Sequence, residues 1–438
     1  MDPDQRLNVK KPSHRATRSL AALYLIVALL SCLDPVEPTR IITGVITDTN
    51  DRPIQGAVVI VGDRHASTSA QGAFRLSDLP SDEIHPITAV AAGHTAWTLD
   101  AGTLTQFTAR LRSRAPRQTP AEAPLALLLT LPQIDPVDRV VFLSVDTGVV
   151  IPVRVFGGSQ QIPITLNLPV GPRTLSAISP PPAPGSPALH APPFSLSLGA
   201  EGASSQRPLL IAPERRIAVR LDGGPTPIDR PLSGLEASLT CAGASGPMTL
   251  VGRAGLESFD GQTLSMTLLP QVDPLGARCD LVATWDLSSP MGPVRHAAFA
   301  TDMPLPEAAS EIGLKAPTPS LLLPEVRPGE GIIAWEAADG ATLYDLFIAP
   351  DEGDQVGEPI WSATTEATEA ALPRLPAEAA ALMGEHAGRP MLVRVVARHV
   401  PGFDIEARWD WSNYHGFVAS PWLTLPEGTL APFGLADP

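Results

Sequence analysis

Three cysteines carry the most distinctive chemistry open to this chain: Cys32, Cys241 and Cys279. Cys241 and Cys279 form an even pair once Cys32 is set apart, which suits a disulfide in an oxidising compartment or two separate buried thiols. Trp409 and Trp411 stand two residues apart with Tyr414 beside them. On a strand the two indoles share a face, which stacks on sugar rings or seeds a protein interface if exposed, and joins a core if not. Two carboxylate loops, Asp48/Asn50/Asp51 and Asp351/Glu352/Asp354, offer oxygens to calcium. Calcium needs six to eight of them, and neither loop has EF-hand spacing, so ordinary solvated turns are expected and no metal is assigned. His65, His85, His94, His190, His296, His386, His399 and His415 are scattered, and none opens a His-Glu-x-x-His pattern. Gly243-Ala244-Ser245-Gly246 falls one residue short of a nucleophile elbow. The chain has no Ser-x-x-Lys pair and no phosphate-cradling glycine loop. The expectation is a protein that is not an enzyme and holds no cofactor. A hydrolase or accessory subunit with an unrecognised site stays open as an alternative, because triads are recognised by geometry.

Length and composition bound the elements that must position these residues. The chain has 438 residues, room for two to four domains. Its 49 prolines argue against an all-helical protein, since proline breaks helix interiors. A formal net charge of −15 excludes a general nucleic-acid binder, which needs a basic face. The lysines are Lys10, Lys11 and Lys315, so lysine-based phosphate sites are nearly excluded.

The amino terminus reads as an address. Arg6, Lys10, Lys11, Arg15 and Arg18 precede an uncharged run at residues 20–30, LAALYLIVALL. As a helix the run spans about 16 Å, half a hydrocarbon core, so it fits a signal-peptide core better than a membrane span. It ends in Leu29-Leu30-Ser31-Cys32, which resembles the lipobox of bacterial lipoproteins. The resemblance implies cleavage before Cys32, lipid on its thiol and acylation of the new amino group. A plain secretory signal with an incidental cysteine and an uncleaved anchor are the alternatives. Leu33 follows where an aspartate tends to retain enteric lipoproteins in the inner membrane, which favours the outer membrane. Loss of residues 1–31 takes the formal net charge to −18, disfavouring further contact with anionic headgroups.

After a tether at 32–40 the pattern turns to strands. Gly44-Val45-Ile46, Pro53-Ile54-Gln55-Gly56-Ala57-Val58-Val59, Gly72-Ala73-Phe74-Arg75-Leu76 and Gly93-His94 occur in order. Together they make residues 41–112 resemble the carboxypeptidase regulatory-like domain, with His94 where an aromatic ring is usual. The resemblance implies a prealbumin-like β-sandwich, an accessory module without catalytic residues.

Strand-length runs at 125–131, 139–145, 149–156, 162–168 and 173–178 predict a second β-rich domain over 121–200. Its proline-rich segment 179–193 suits a spacer or exposed loop. A third sandwich is expected over 205–304, immunoglobulin-like in carrying a cysteine pair and Trp285, although Trp285 follows the second cysteine. In the last segment, Trp335, the Tyr344/Leu346/Ile348 strand and Val393-Arg394-Val395 make residues 316–426 resemble a fibronectin type III domain. Met391 stands where that family has its corner tyrosine, and a short helix at 377–383 departs from its pattern.

The predicted fold class is thus all-β: tandem β-sandwich domains, prealbumin-like, immunoglobulin-like and fibronectin type III-like, after a signal peptide. Strung end to end they would reach on the order of 100 Å. The expected function is a non-enzymatic, lipid-anchored envelope or cell-surface protein, periplasmic or surface-facing, with binding or structural roles. Its expected partners are the membrane, through the anchor, and an envelope protein or glycan, with no nucleic acid. The alternative is a glycan-binding surface lipoprotein using Trp409, Trp411 and Tyr414.

Overall fold

The computed structural model describes residues 39–430 except 81–84, 101–103, 115–120, 133–137, 146–149, 180–181, 183–186, 212–214, 224–231, 243–248, 269–276, 318–321, 328–329, 354, 384–385, 387–388, 402–414 and 427–428. The signal peptide, Cys32, Asp354, Trp409, Trp411 and Tyr414 lie outside the described residues. Within them the chain is all-β, as expected, and its buried residues gather into four large hydrophobic clusters.

The first module comprises β1 (Thr39–Asp48), β2 (Val58–Val61), β3 (Arg64–Ser67), β4 (Ala73–Pro80), β5 (Ile87–Val90), β6 (Ala96–Leu99) and β7 (Gln106–Leu111). A β4-β1-β7 sheet packs on β3-β2-β5-β6. β1 runs so close to β7 that a Cβ on Gly44 would sit 1.7 Å from the Phe107 carbonyl oxygen, so only glycine fits there. Residues of β4 and β7 alternate between exposed and buried over most of their length, as one-sided strands do. β2 (VVIV) and β5 (ITAV) are buried at every residue. Their second face must therefore be covered by something outside the module.

The second module contains β8 (Glu122–Thr130), β9 (Arg139–Val145), β10 (Val150–Val155), β11 (Gln161–Pro169), β12 (Gly171–Ser179), β13 (Leu189–Leu198), β14 (Ala203–Pro208) and β15 (Leu210–Ile211). The sheets β10-β9-β12-β13-β15 and β11-β8-β14 share a core of Leu125, Leu127, Leu129, Val141, Leu143 and Leu175. β14 and β15 pair with β8 and β13, so this module runs through Ile211, not 200. The end of the proline-rich segment is also corrected: Leu189–Leu198 is a strand, not a spacer. Its Pro192 and Pro193 fall at the register shift opposite Ser176, where the β12–β13 ladder leaves residues unpaired. A proline's missing N–H costs nothing at such a bulge.

In the third module β16 (Arg215–Asp222), β17 (Leu232–Ala242), β18 (Thr249–Gly255), β19 (Thr263–Leu268), β20 (Arg278–Leu287), β21 (Val294–Pro304) and β22 (Glu311–Lys315) form one continuous sheet, β22-β16-β19-β18-β17-β20-β21. The seven strands share a single core.

The fourth module has β23 (Pro324–Arg327), β24 (Ile332–Trp335), β25 (Leu343–Pro350), β26 (Trp361–Thr365), β27 (Glu369–Ala371), the short helix α1 (Ala377–Ala381), β28 (Met391–His399), β29 (Gly416–Ala419) and β30 (Leu423–Thr424). A β23-β24-β27 sheet covers β29-β28-β25-β26. Met391 is core, and a tyrosine hydroxyl bond is supplied from elsewhere: the Ala338 amide donates to Tyr344 Oη at 3.1 Å.

The modules do not string end to end in chain order. β21 of the third module pairs with β29 of the fourth, and β26 of the fourth pairs with β6 of the first. One hydrogen-bonded sheet thereby passes through three modules, and the first lies beside the last. The end-to-end rod is corrected on those pairings, which satisfy four strand edges that would otherwise stay open.

Candidate functional site

Among the described residues, those that sequence singled out do not converge. Cys241 and Cys279 sit directly opposite on β17 and β20, with Cα atoms 4.0 Å apart, and form a buried disulfide in the core that Trp285 joins further along β20. The Asp48 carboxylate accepts the amides of Asn50 (2.8 Å) and Arg52 (2.9 Å), and the Arg52 bond leads in holding its pKa below the usual range. Asp51 pairs with Arg110 at 2.8 Å, and Asp351 accepts the Gly353 amide at 2.9 Å. These side chains serve as turn-formers and surface ion pairs. Among the described residues no group of three His, Cys, Asp or Glu is placed to hold a metal.

The most developed constellation is the joint between the first and last modules. β6 lies parallel to β26, with Ala96 opposite Trp361 and Leu99 opposite Thr364. The Ala96 amide donates to the Ile360 carbonyl (2.9 Å) and Asp100 to Thr364 (3.1 Å), extending the ladder past both ends. Alternation along β6 sends its side chains two ways. On one face Ala96 joins Val58, Ile60 and Val90 in the core of the fourth module, beside Ile360, Trp361 and Met383. That is the cover β2 and β5 require. On the other face, Leu343 of the fourth module enters the core of the first.

Polar side chains lock the register. The Trp361 indole N–H donates to Thr98 Oγ1 at 2.9 Å, and that hydroxyl lies 2.9 Å from Thr88 Oγ1. Across the sheet the Trp97 indole reaches Thr364 Oγ1 at 3.4 Å, and Thr364 donates to Asp345 Oδ1 at 2.7 Å. Arg398 closes this chain as the ion partner of Asp345. Thr365 donates to Asp100 Oδ2 (3.2 Å) and Thr95 to the Pro359 carbonyl (2.7 Å). At the rim, Arg112 pairs with Glu358 and His65 with Glu378, each at 3.2 Å. The buried threonine hydroxyls, indoles and Asp345 named here satisfy one another. The arrangement recognises a surface; it presents no activated nucleophile.

Three histidines that sequence left scattered meet at the seam between the third and fourth modules. His296 on β21 is fully buried and stacks on Trp285, with ring centroids 5.5 Å apart. His399 ends β28, and the His415 amide donates to its carbonyl at 2.8 Å. Burial pushes the His296 pKa down to about 4 and lowers those of His399 and His415. The second and third modules meet more lightly. The Arg253 guanidinium lies 3.6 Å over the Phe142 ring and pairs with Glu236, and Ile178 packs on Leu250.

No curated protein matches the chain. Among solved structures, the Bacillus anthracis TIE protein aligns at 11% identity and TM-score 0.15 over 64% of this chain, which spans half the length of that one. A streptococcal ancillary pilin aligns at 11% identity and TM-score 0.15, over 64% of this chain and 98% of its own. The shaft pilin SpaA of Lactobacillus rhamnosus GG aligns at 10% identity and TM-score 0.15, over 44% and 96% respectively. Residues 41–112, the first module of the joint, match the carboxypeptidase regulatory-like domain.

Proposed function

We propose that this is a non-enzymatic bacterial envelope protein, lipid-anchored at Cys32 and facing away from the cytoplasm, whose β modules are braced into one unit for binding or structural work. The observation that carries the reading is Leu29-Leu30-Ser31-Cys32 at the end of an apolar run too short to span a bilayer. The Cys241–Cys279 disulfide supports an oxidising compartment. Among the described residues no helix is long and apolar enough to cross a membrane. The three-plus-four division of strands in the fourth module supports its likeness to a fibronectin type III domain. The mutual pairing of buried polar groups at the joint supports a scaffold in place of a reaction centre. Leu33 favours the outer membrane. Metabolic labelling with a fatty-acid analogue tests the anchor. Label and detergent-phase partitioning are expected for the native chain and lost in Cys32→Ser; label retained in the variant overturns the reading.

A further inference from the structure

The joint is made wholly between the two ends of the chain: Trp361 and Thr98, which it bonds, are 263 positions apart. Opening it in place would bare one side of the wholly buried β2 and β5, the Trp361 indole and the facing edges of β6 and β26. A bare strand edge beside an apolar face needs a cover in water. The cover that fits is the matching half, because the Thr98–Trp361 and Asp100–Thr365 contacts set both register and chemistry. A second copy of this chain carries that half unchanged. Between β7 and β8, residues 112–114 stay bonded to the first module through Thr95, His94 and Gly93, which leaves residues 115–121, with Pro116 and Pro120, as the connection. Seven residues reach at most about 25 Å, and they tether the first module as it leaves one partner for another.

We propose that the joint is exchangeable, with β6 of one copy pairing with β26 of a second. Reciprocal exchange closes a dimer; one-way exchange propagates a head-to-tail chain. The tethered partner competes at an effective concentration on the order of millimolar, so exchange belongs to crowded conditions. The test uses the full chain after residue 31 with Cys32→Ser throughout. Asp100→Cys and Thr365→Cys are placed in separate copies and, as a control, together in one. The double variant is expected to close within one chain and run as a monomer. The two single variants, partly unfolded and refolded together near ~1 mM, are expected to yield a reducible dimer linked 100 to 365 by peptide mapping. A closed double variant with no 100–365 link between copies overturns the exchange. A double variant that does not close overturns the joint itself.

Discussion

The joint between the first and fourth modules and the contact between the second and third are built on opposite plans. In the first, backbone ladders cross the boundary, apolar side chains enter the neighbour's core from both sides, and hydroxyls and indoles settle the register. In the second, no strand pairing crosses among the described residues, and contact rests on Arg253 over Phe142 with Ile178 against Leu250. Strand addition fixes position and angle together, because a slip by one residue turns each side chain to the wrong face. A side-chain contact fixes neither. The braced part of the molecule is therefore the run of modules three, four and one, with the second module as its looser member.

The largest test of that contrast is Trp361→Ala. Trp361 is fully buried, and truncating a buried tryptophan costs about 4 kcal/mol. Amide exchange should rise in β5, β6, β25 and β26 together, because the indole belongs to both modules. Loss confined to the fourth module would break the claim of a shared core.

A second test works at the seam of the third and fourth modules, through pH. His296 titrates near 4 when folded and near its ordinary 6.5 when unfolded, so the unfolded chain takes up the proton first. The stability this group contributes is complete above about 6.5, falls as pH drops and levels off below 4. The loss by pH 4 is about 3 kcal/mol. His399 and His415 act in the same direction. Denaturant midpoints measured from pH 7 to 4 should trace this decline, and His296→Phe, which keeps a ring against Trp285, should flatten it. An unchanged slope in that variant would assign the acid sensitivity elsewhere.

Much of the local structure was legible in the sequence, and the joint was not. Arg139–Val145 is a strand at the bounds its apolar run predicted, and α1 lies where the alanine-rich insert was expected. Cys241 and Cys279 pair as their number suggested. The joint joins residues 96–99 to 361–364, and no local pattern encodes a pairing so distant. One signal was present. Val58-Val59-Ile60-Val61 is continuously apolar where β4 alternates, and a continuous run marks a strand covered on both faces. Pro192 and Pro193 misled in the other direction, since composition cannot reveal a bulge that tolerates them. The histidine seam was hidden for the same reason as the joint: pairing of distant strands brings His399 near both His296 and His415.

The smallest effect should come from the lighter contact. Arg253→Ala removes the cation over Phe142 and the ion partner of Glu236. The Glu236 side chain is 41% exposed, so water takes over its solvation and no buried charge is stranded. A cation–π contact of this kind is worth about 1 kcal/mol. The expected change in denaturant midpoint is therefore slight, and amide exchange in β6 and β26 should not move. What should change is geometry: distances between spin labels on the second and third modules should broaden, while those between the first and fourth stay narrow. If Arg253→Ala instead destabilised by several kcal/mol, or loosened the first and fourth modules as well, the two boundaries would be energetically alike. The division into a braced run and a looser member would then fail, because it holds only if hydrogen-bonded sheet continuity, and not mere contact, transmits rigidity across a boundary.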